Sequence, residues 1–394
     1  MDIFGNRSIE ILSQLGVYTA APFFESKVAE FIWKFLKKLE VNLFQDQFGN
    51  IIAHYRPENS NGPAVAFVAH MDHPGFEVIE IDGFRALARA SGGIPATSLV
   101  KPTSLIVGNF PEFVTGITAK HESTVDPLNR KSERLVWIDL DEKPKFDLPT
   151  AAVFNIPGFE LKGDTIYMRA VDDLAGCAAI LSLFEELKSH RDNLNKAATA
   201  NLNTEVEVYG IFTRAEEVGL FGASLVAESG ILPKQTAIIS IESSSVLPGV
   251  NQGSGPIIRT GDAAKTFDSS AEAILSRGVL SVQKSNSQFK YQRRLMYGGV
   301  CEATAFSAYG YSVTGIAFPL GNYHNSTSGL LDINGDVDAE YIKCQDYLYG
   351  IQLLTEVALN SELSTPMEPD RLKENMKVGD EEREKLAMTK WDFD

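Results

Sequence analysis

Two imidazoles and four carboxylates stand out because each follows a run of apolar, strand-forming residues: His70, Asp172, Glu216, Glu217, Glu242 and His324. AVAFVA ends at His70, TIYMRAV at Asp172, and VEVYGIFT leads to Glu216 and Glu217. AIISI leads to Glu242, and VTGIAF runs past Pro319 and Gly321 to His324. In α/β sheets, ligands bind in the crevice beyond the carboxyl ends of the strands, so groups distant in sequence can meet there. Imidazoles among carboxylates form an oxygen and nitrogen donor set. It suits Zn²⁺, Co²⁺ or Mn²⁺ better than an ion that prefers thiolates. Five ligands, one carboxylate bridging, would hold two such ions a few ångströms apart.

Neighbouring residues support a joint site. In an extended His70-Met71-Asp72, the first and third side chains point the same way. Asp72 is then placed to accept the imidazole N–H of His70 and fix its tautomer. Glu216 and Glu217 would face opposite sides of an extended chain, one toward metal and one toward substrate. Adjacent carboxylates after an apolar strand are costly unless a cation neutralises them.

Singly, each group has a plainer use. Asp172 with Asp173 can cap a helix, Glu216-Glu217 can open one, and Glu242 can be solvated. A histidine after a strand is commonly a hydrogen-bonded structural residue, and His54, His73, His121 and His190 read that way. Cys177, near a helix start, reads as a small core residue. Recurrence at one structural position favours the joint reading.

The frame that must bring these groups together is alternating strand and helix. Ser26 to Leu39 carries Val28, Phe31, Ile32, Phe35 and Leu39 at helical spacing. VNLF and IIAHY flank a turn containing Asp46, Gly49 and Asn50, which predicts a hairpin. AVAFVA is apolar throughout, the pattern of a strand buried on both faces. From Phe76 to about Leu161, short β-prone pieces alternate with Gly, Pro and charged stretches, predicting an inserted all-β module. A helix is expected through Cys177, Ile180, Leu183, Phe184 and Leu187, another from about Leu220, and a long one from Asp338 to about Leu359. The closing stretch from Met367 mixes both charge signs and reads as an exposed helix or tail. The expected fold class is α/β, a mostly parallel sheet covered by helices on both faces. Its domains would be 1–75 with 161–394 for the chemistry, and 76–160 as a β-barrel-like insert.

Composition narrows the function. With 394 residues and 44% hydrophobic content, the chain has ample material for a large core and a smaller one. A formal net charge of -16 argues against nucleic acid or an anionic membrane as partner, since both attract a positive patch. Three widely spaced cysteines, Cys177, Cys301 and Cys344, form neither a disulfide framework nor a thiolate cage. Together with a start lacking the pattern of a signal peptide, this predicts a cytoplasmic setting. No G-x-S-x-G elbow, P-loop or G-x-G-x-x-G fingerprint competes with the metal reading.

At these residues the sequence resembles the tetrahedral aminopeptidases (deblocking, glutamyl- or leucyl-type), a family of co-catalytic di-metal exopeptidases. AHMDHPGF resembles its AHMDE-x-GF segment and RAVDDLAGC its ALDDR-x-G-C. FTRAEEVGLFGA resembles T-x-x-EE-x-G-x-x-GA, and GNYHNSTSG resembles RY-x-HS. The likeness extends from FFESKVAEF through DQFGNIIA to the helix after His324, with SGGIPATSLV and GITAKH echoing the inserted β domain. It implies His70, Asp172, Glu217, Glu242 and His324 as ligands of two metal ions, zinc foremost, with Asp172 bridging. Glu216 would be the general base, Asp72 would orient His70, and the Asp172–Asp173 peptide bond would be cis. It also implies short peptide substrates and self-association through the insert, as dimers or twelve-subunit shells.

Several residues depart from the family pattern. Glu242 stands where Asp is usual, His73 replaces an acidic residue, and Leu174 replaces an arginine. Cys301 and Glu302 replace a Thr-Asp pair and are expected to alter the pocket. The alternatives are a related di-metal carboxypeptidase or N-deacylase, or a non-catalytic binding or structural homologue.

Overall fold

The computed structural model describes residues 3–57, 64–109, 111–119, 133–196, 206–360, 377 and 379–388. They fall in two units, 1–364 and 365–394. In the first, α1 (Ile3–Leu15) is followed by α2 (Ser26–Lys38), whose Val28, Ile32 and Leu36 are buried at four-residue spacing. A hairpin of β1 (Asn42–Gln45) and β2 (Ile51–Tyr55) comes next, then β3 (Val65–His70), buried along its whole length. Alternate residues of β3 enter different cores: Val65, Phe67 and Ala69 on one face, Ala66 and Val68 on the other. That two-sided burial is why the run contains no polar residue before His70.

The chain then builds β4 (Gly75–Asp82), β5 (Arg85–Ser91), the short helix α3 (Thr97–Val100), β6 (Ser104–Asn109), β7 (Glu112–Thr118), β8 (Leu135–Leu140) and β9 (Thr150–Phe154). These strands close into an antiparallel barrel in the order β4-β5-β8-β7-β6-β9. Alternation again supplies the interior, from Phe76 and Val78, Ala86 and Ala88, Leu105 and Val107. Closure leaves no free strand edge. Residue 110 and residues 120–132, with His121 and the end of GITAKH, lie outside the described residues.

Beyond the barrel come β10 (Glu160–Lys162), β11 (Thr165–Met168), α4 (Val171–Lys196), β12 (Val208–Thr213), α5 (Phe221–Ser229), β13 (Ala237–Ser245) and β14 (Ile257–Gly261). They are followed by α6 (Ser269–Ser285), β15 (Gln292–Leu295), α7 (Glu302–Ala308), β16 (Ser312–Leu320), β17 (Glu340–Lys343) and α8 (Cys344–Leu359). The main sheet has the order β1-β2-β12-β3-β13-β16-β14-β15. Its centre, β12-β3-β13-β16, is entirely parallel, so four carboxyl ends open on the same side. Buried residues of α4 and α8, such as Phe184 and Leu353, pack on one face. Val226 of α5 and Phe306 of α7 pack on the other. The mixed α/β class and the mostly parallel sheet are as expected.

Two elements differ from the sequence reading. The strand leading to Asp172 ends at Met168 and belongs to a separate three-stranded sheet, β10-β11-β17, so Asp172 reaches the crevice from the flank of the main sheet. The helix expected from Asp338 begins only at Cys344. Before it, Glu340 and Ile342 are buried while Tyr341 and Lys343 are partly exposed, a two-residue period that pairs with β11. That short alternation is hidden within the apolar spacing of the longer helix.

In the second unit, α9 (Asp380–Met388), part of the stretch read as an exposed helix or tail, carries no buried residue; residues 361–376, 378 and 389–394 lie outside the described residues. Among the described residues, no helix is long and apolar enough to cross a membrane.

Candidate metal centre

His70 is the last residue of β3 and is buried. Its Nδ1 lies 3.0 Å from the Asp72 backbone carbonyl, which can only accept, so this nitrogen carries the proton and donates it there. The Asp72 carboxylate is 3.7 Å away, beyond a hydrogen bond, so the expected contact through its side chain is replaced by one through its main chain. The carboxylate instead accepts the backbone N–H groups of Glu216 and Glu217 at 2.9 and 3.1 Å.

With Nδ1 occupied, Nε2 of His70 faces Oδ1 of Asp172 at 3.5 Å and Oε2 of Glu242 at 3.8 Å. Glu242 lies within β13, and its other oxygen accepts the Ser240 hydroxyl at 3.0 Å. On the far side of Asp172, Oδ2 is 3.8 Å from Nε2 of His324, which is 3.2 Å from Oε1 of Glu217. Two donor sets therefore share Asp172: His70–Asp172–Glu242 and Asp172–Glu217–His324. The carboxylate of Glu216 lies within 4.8 Å of both His70 and Glu217 donor atoms. All the sequence-predicted ligands thus converge. The chain beside Asp172 is also as the resemblance implies, with a cis Asp172–Asp173 peptide bond.

The turn carrying the paired glutamates is not extended, and so their side chains are not related by simple alternation. Ala215 and Leu220 have left-handed φ values of 52° and 58°. Glu25, fully buried, holds this turn by accepting the N–H groups of Phe23 and Ala215 on one oxygen and Arg214 Nε on the other, at 2.9 Å. His324 is left-handed as well, with φ 53° and ψ 37°. Its Nδ1 is 3.2 Å from the Gly93 carbonyl, which arrives from the barrel just after β5.

The donor atoms fit cations. Burial opposes ionisation and raises the carboxyls of Glu216, Glu217 and Glu242, with neighbouring carboxylates adding to the rise. Burial also works against a charged His70, yet Glu216, Asp172 and Asp72 outweigh it and hold the imidazole well above its ordinary range. Asp172 is lowered despite burial because the imidazoles around it favour its anion. Carboxylates this crowded lack enough positive charge among the side chains. The buried Oε1 of Glu217 has no hydrogen-bond partner even though Nε2 of His324 is close. Two ligands of a tetrahedral ion at about 2.05 Å would be separated by roughly 3.4 Å. The four imidazole–carboxylate distances, 3.2 to 3.8 Å, bracket that value. The groups are spaced as ligands around common points rather than as hydrogen-bonded pairs.

The centre opens into a cleft of about 810 Å³ between the sheet and the barrel, lined by Glu216, Glu242 and Tyr323 from one side and Arg89, Arg134 and Gly92 from the other. Cys301 and Glu302, expected to alter the pocket, do not line it. Both are fully buried; Cys301 packs in the second core and Glu302 accepts the Thr213 hydroxyl. Leu174 is likewise core. Cys177 donates its thiol to the His70 carbonyl at 3.1 Å from a fully buried position, as a core residue would.

Among the supports of these residues, His73 is structural, as the sequence reading has it, whereas sequence reasoning missed Glu340 and Arg259. His73 joins the ligand segments, its Nδ1 2.6 Å from the Asp172 carbonyl and its Nε2 2.9 Å from Oδ1 of Asn325. Glu340 touches the backbone of Asp172 and of His324. Arg259 is buried in the cleft, and its Nε has no hydrogen-bond partner. Of the two missed, only Arg259 left a sequence signal, a cation following the apolar pair Ile257-Ile258.

Comparison with known proteins agrees with this architecture. A relative from Acetivibrio thermocellus, provisionally named an aminopeptidase, is 25% identical over 331 residues, covering 79% of this chain and 91% of its own. The TET1 peptidase of Pyrococcus horikoshii, described as assembling into a tetrahedron or a large octahedral shell, is 22% identical with a TM-score of 0.68 over 89% of this chain and 99% of its own. The aminopeptidase APDkam598 of Desulfurococcus kamchatkensis is 20% identical with a TM-score of 0.70 over 92% and 97%. The sequence pattern of the M42 glutamyl aminopeptidases matches residues 49–335, well over half the chain. This chain belongs to the M42 glutamyl aminopeptidase family.

Proposed function

We propose that this protein is a metal-dependent aminopeptidase that releases N-terminal residues from short peptides. The observation carrying this reading is that Asp172 presents one oxygen to His70 and the other to His324. His70, Asp172 and Glu242 would hold one divalent cation; Asp172, Glu217 and His324 would hold the second, zinc foremost, with cobalt or manganese as alternatives. When bound, such a pair supplies Lewis acidity toward a water and the scissile carbonyl.

The chain's own groups do the rest. Hydrolysis adds the water oxygen to the carbonyl carbon and breaks the C–N bond. Glu216, outside the two ligand triads but beside both, takes the water proton and returns it to the departing nitrogen. Its burial raises the carboxyl from the ordinary range toward the pH at which such transfers are efficient. Asp72 fixes Glu216 through its backbone N–H, and the acidic cleft attracts a substrate's free ammonium group. The barrel is proposed as the module of self-association, giving dimers or twelve-subunit shells, and the three buried cysteines suit a reducing cytoplasm.

One observation favours a second reading. Arg259, buried with an unpaired Nε, could grip a substrate carboxylate, as a di-metal carboxypeptidase or N-deacylase would require. Assaying aminoacyl anilides against N-acylated substrates, with and without chelator, separates the two. Glu216→Gln is expected to retain two metal ions per chain while turnover drops about 10²–10⁴-fold. Wild-type turnover in that variant would remove Glu216 as the base, and a metal-free purified protein that hydrolyses nothing would leave the binding or structural alternative.

A further inference from the structure

β17 contributes nothing to the walls of the cleft, yet its first residue reaches both sides of the second donor set. Glu340 is fully buried. Its Oε2 accepts the N–H of Asp172 at 3.0 Å, and its Oε1 accepts the N–H of His324 at 2.8 Å. A single carboxylate therefore ties together two ligand segments that are remote in sequence. The strand is fixed relative to the approach to Asp172, since β17 pairs with β11 and sets Glu340 opposite Met168. The His324 segment needs such an anchor, because Asn322, His324 and Asn325 all have positive φ, a conformation that persists only where its surroundings hold it. Hydrogen bonds from backbone N–H groups to a carboxylate are among the stronger ones available for this.

Resting on the two-metal reading above, we propose that Glu340 is a positioning residue for the Asp172–Glu217–His324 site. It sets the spacing of Asp172 and His324, and through it the affinity of that site more than that of the His70–Asp172–Glu242 site, which shares only Asp172. The distinction follows from the contacts. Neither His70 nor Glu242 touches Glu340, and each has its own anchor, the Asp72 carbonyl and the Ser240 hydroxyl. His324, by contrast, receives Glu340 directly at its backbone. In Glu340→Gln, one oxygen becomes an NH₂ group and meets a backbone N–H, donor against donor, so one of the two anchors is lost.

The test is calorimetric titration of chelator-stripped protein with Zn²⁺, repeated with Co²⁺, for wild type, Glu340→Gln and Glu340→Asp. Melting temperatures are measured with and without metal. Wild type should bind two ions. Glu340→Gln should bind one ion about 10–100-fold more weakly, the usual effect of losing a group that orients a ligand, and the other, which shares only Asp172 with it, with a smaller loss. Glu340→Asp keeps a carboxylate that is shorter by one methylene, and should weaken the same site by less. It serves as the readable variant if Glu340→Gln does not fold. The rise in melting temperature on adding metal should shrink in both variants.

Two unchanged affinities, or equal weakening of both, would overturn the inference while leaving the two-metal reading intact. A lower metal-free melting temperature with an unchanged metal-induced rise would also overturn it, since that marks a structural role only. A wild-type protein that binds no metal would remove both.

Discussion

The contact between Gly93 and His324 permits a prediction worked from distances. A Cβ built on Gly93 would lie 2.0 Å from Nδ1 and 2.5 Å from Cε1 of His324. Non-bonded heavy atoms settle at about 3.5 Å or more, so the shortfall at Nδ1 is about 1.5 Å. Gly93 is not in the left-handed region, unlike Gly92 with φ +78°, so Gly93→Ala adds a clash without backbone strain. Either the His324 ring or the 91–93 segment must move by more than an ångström. Nε2 of His324 would then leave its place 3.2 Å from Glu217 and 3.8 Å from Asp172. A misplacement of about 1 Å near reacting groups costs on the order of 10²-fold in rate, equivalent to about 2.7 kcal/mol. The assay is kcat/KM on an aminoacyl anilide, with metal content and the metal-free melting temperature measured on the same preparation. A hundredfold loss with an intact metal-free fold would make the barrel's Ser91–Gly93 exit part of the working centre. Wild-type kcat/KM and metal content in Gly93→Ala would refute the reasoning.

Further outcomes follow from charge and burial. Burial raises Glu216, Glu217, Glu242 and Glu302, the last from 4.5 to about 8, so the folded metal-free protein holds protons that the unfolded chain releases at lower pH. The stability these groups contribute is complete below the unfolded carboxyl range and is lost as pH rises through their folded values; a raised His70 adds a loss in the same direction. The metal-free melting temperature should therefore fall between about pH 5 and 8, and the stabilisation from added Zn²⁺ should grow over that range. A rising metal-free melting temperature would count against the carboxylate cluster. Arg214→Met strands Glu25, which is fully buried, while Arg214 itself is 33% exposed. The expected cost is about 3 kcal/mol in denaturant unfolding, the lower end for a broken buried pair, accompanied by reduced turnover because the glutamate turn loses its anchor. Unaltered stability would show that Glu25 is held well enough by its backbone contacts alone.

Much of this protein could be read before any folding was considered. The two-sided apolar run before His70, the helix from Ser26 and the β-rich stretch after Phe76 are legible because burial writes a period of its own into neighbouring residues. The candidate ligands His70, Asp172, Glu217, Glu242 and His324 are legible for a related reason: carboxylates and imidazoles at the ends of apolar runs are out of place unless something draws them there. Their order around the centre was not legible. It took the packed structure to divide Asp172 between two imidazoles, to route Asp172 in from a side sheet, to turn Asp72 toward the backbone of Glu216 and Glu217, and to set Gly93, Glu25 and Glu340 behind the ligands. Those contacts join segments far apart along the chain, through single hydrogen bonds and close approaches that repeat nowhere. Apolar periodicity is local and survives in sequence, whereas the direction of one oxygen depends on every turn and strand pairing between it and its partner.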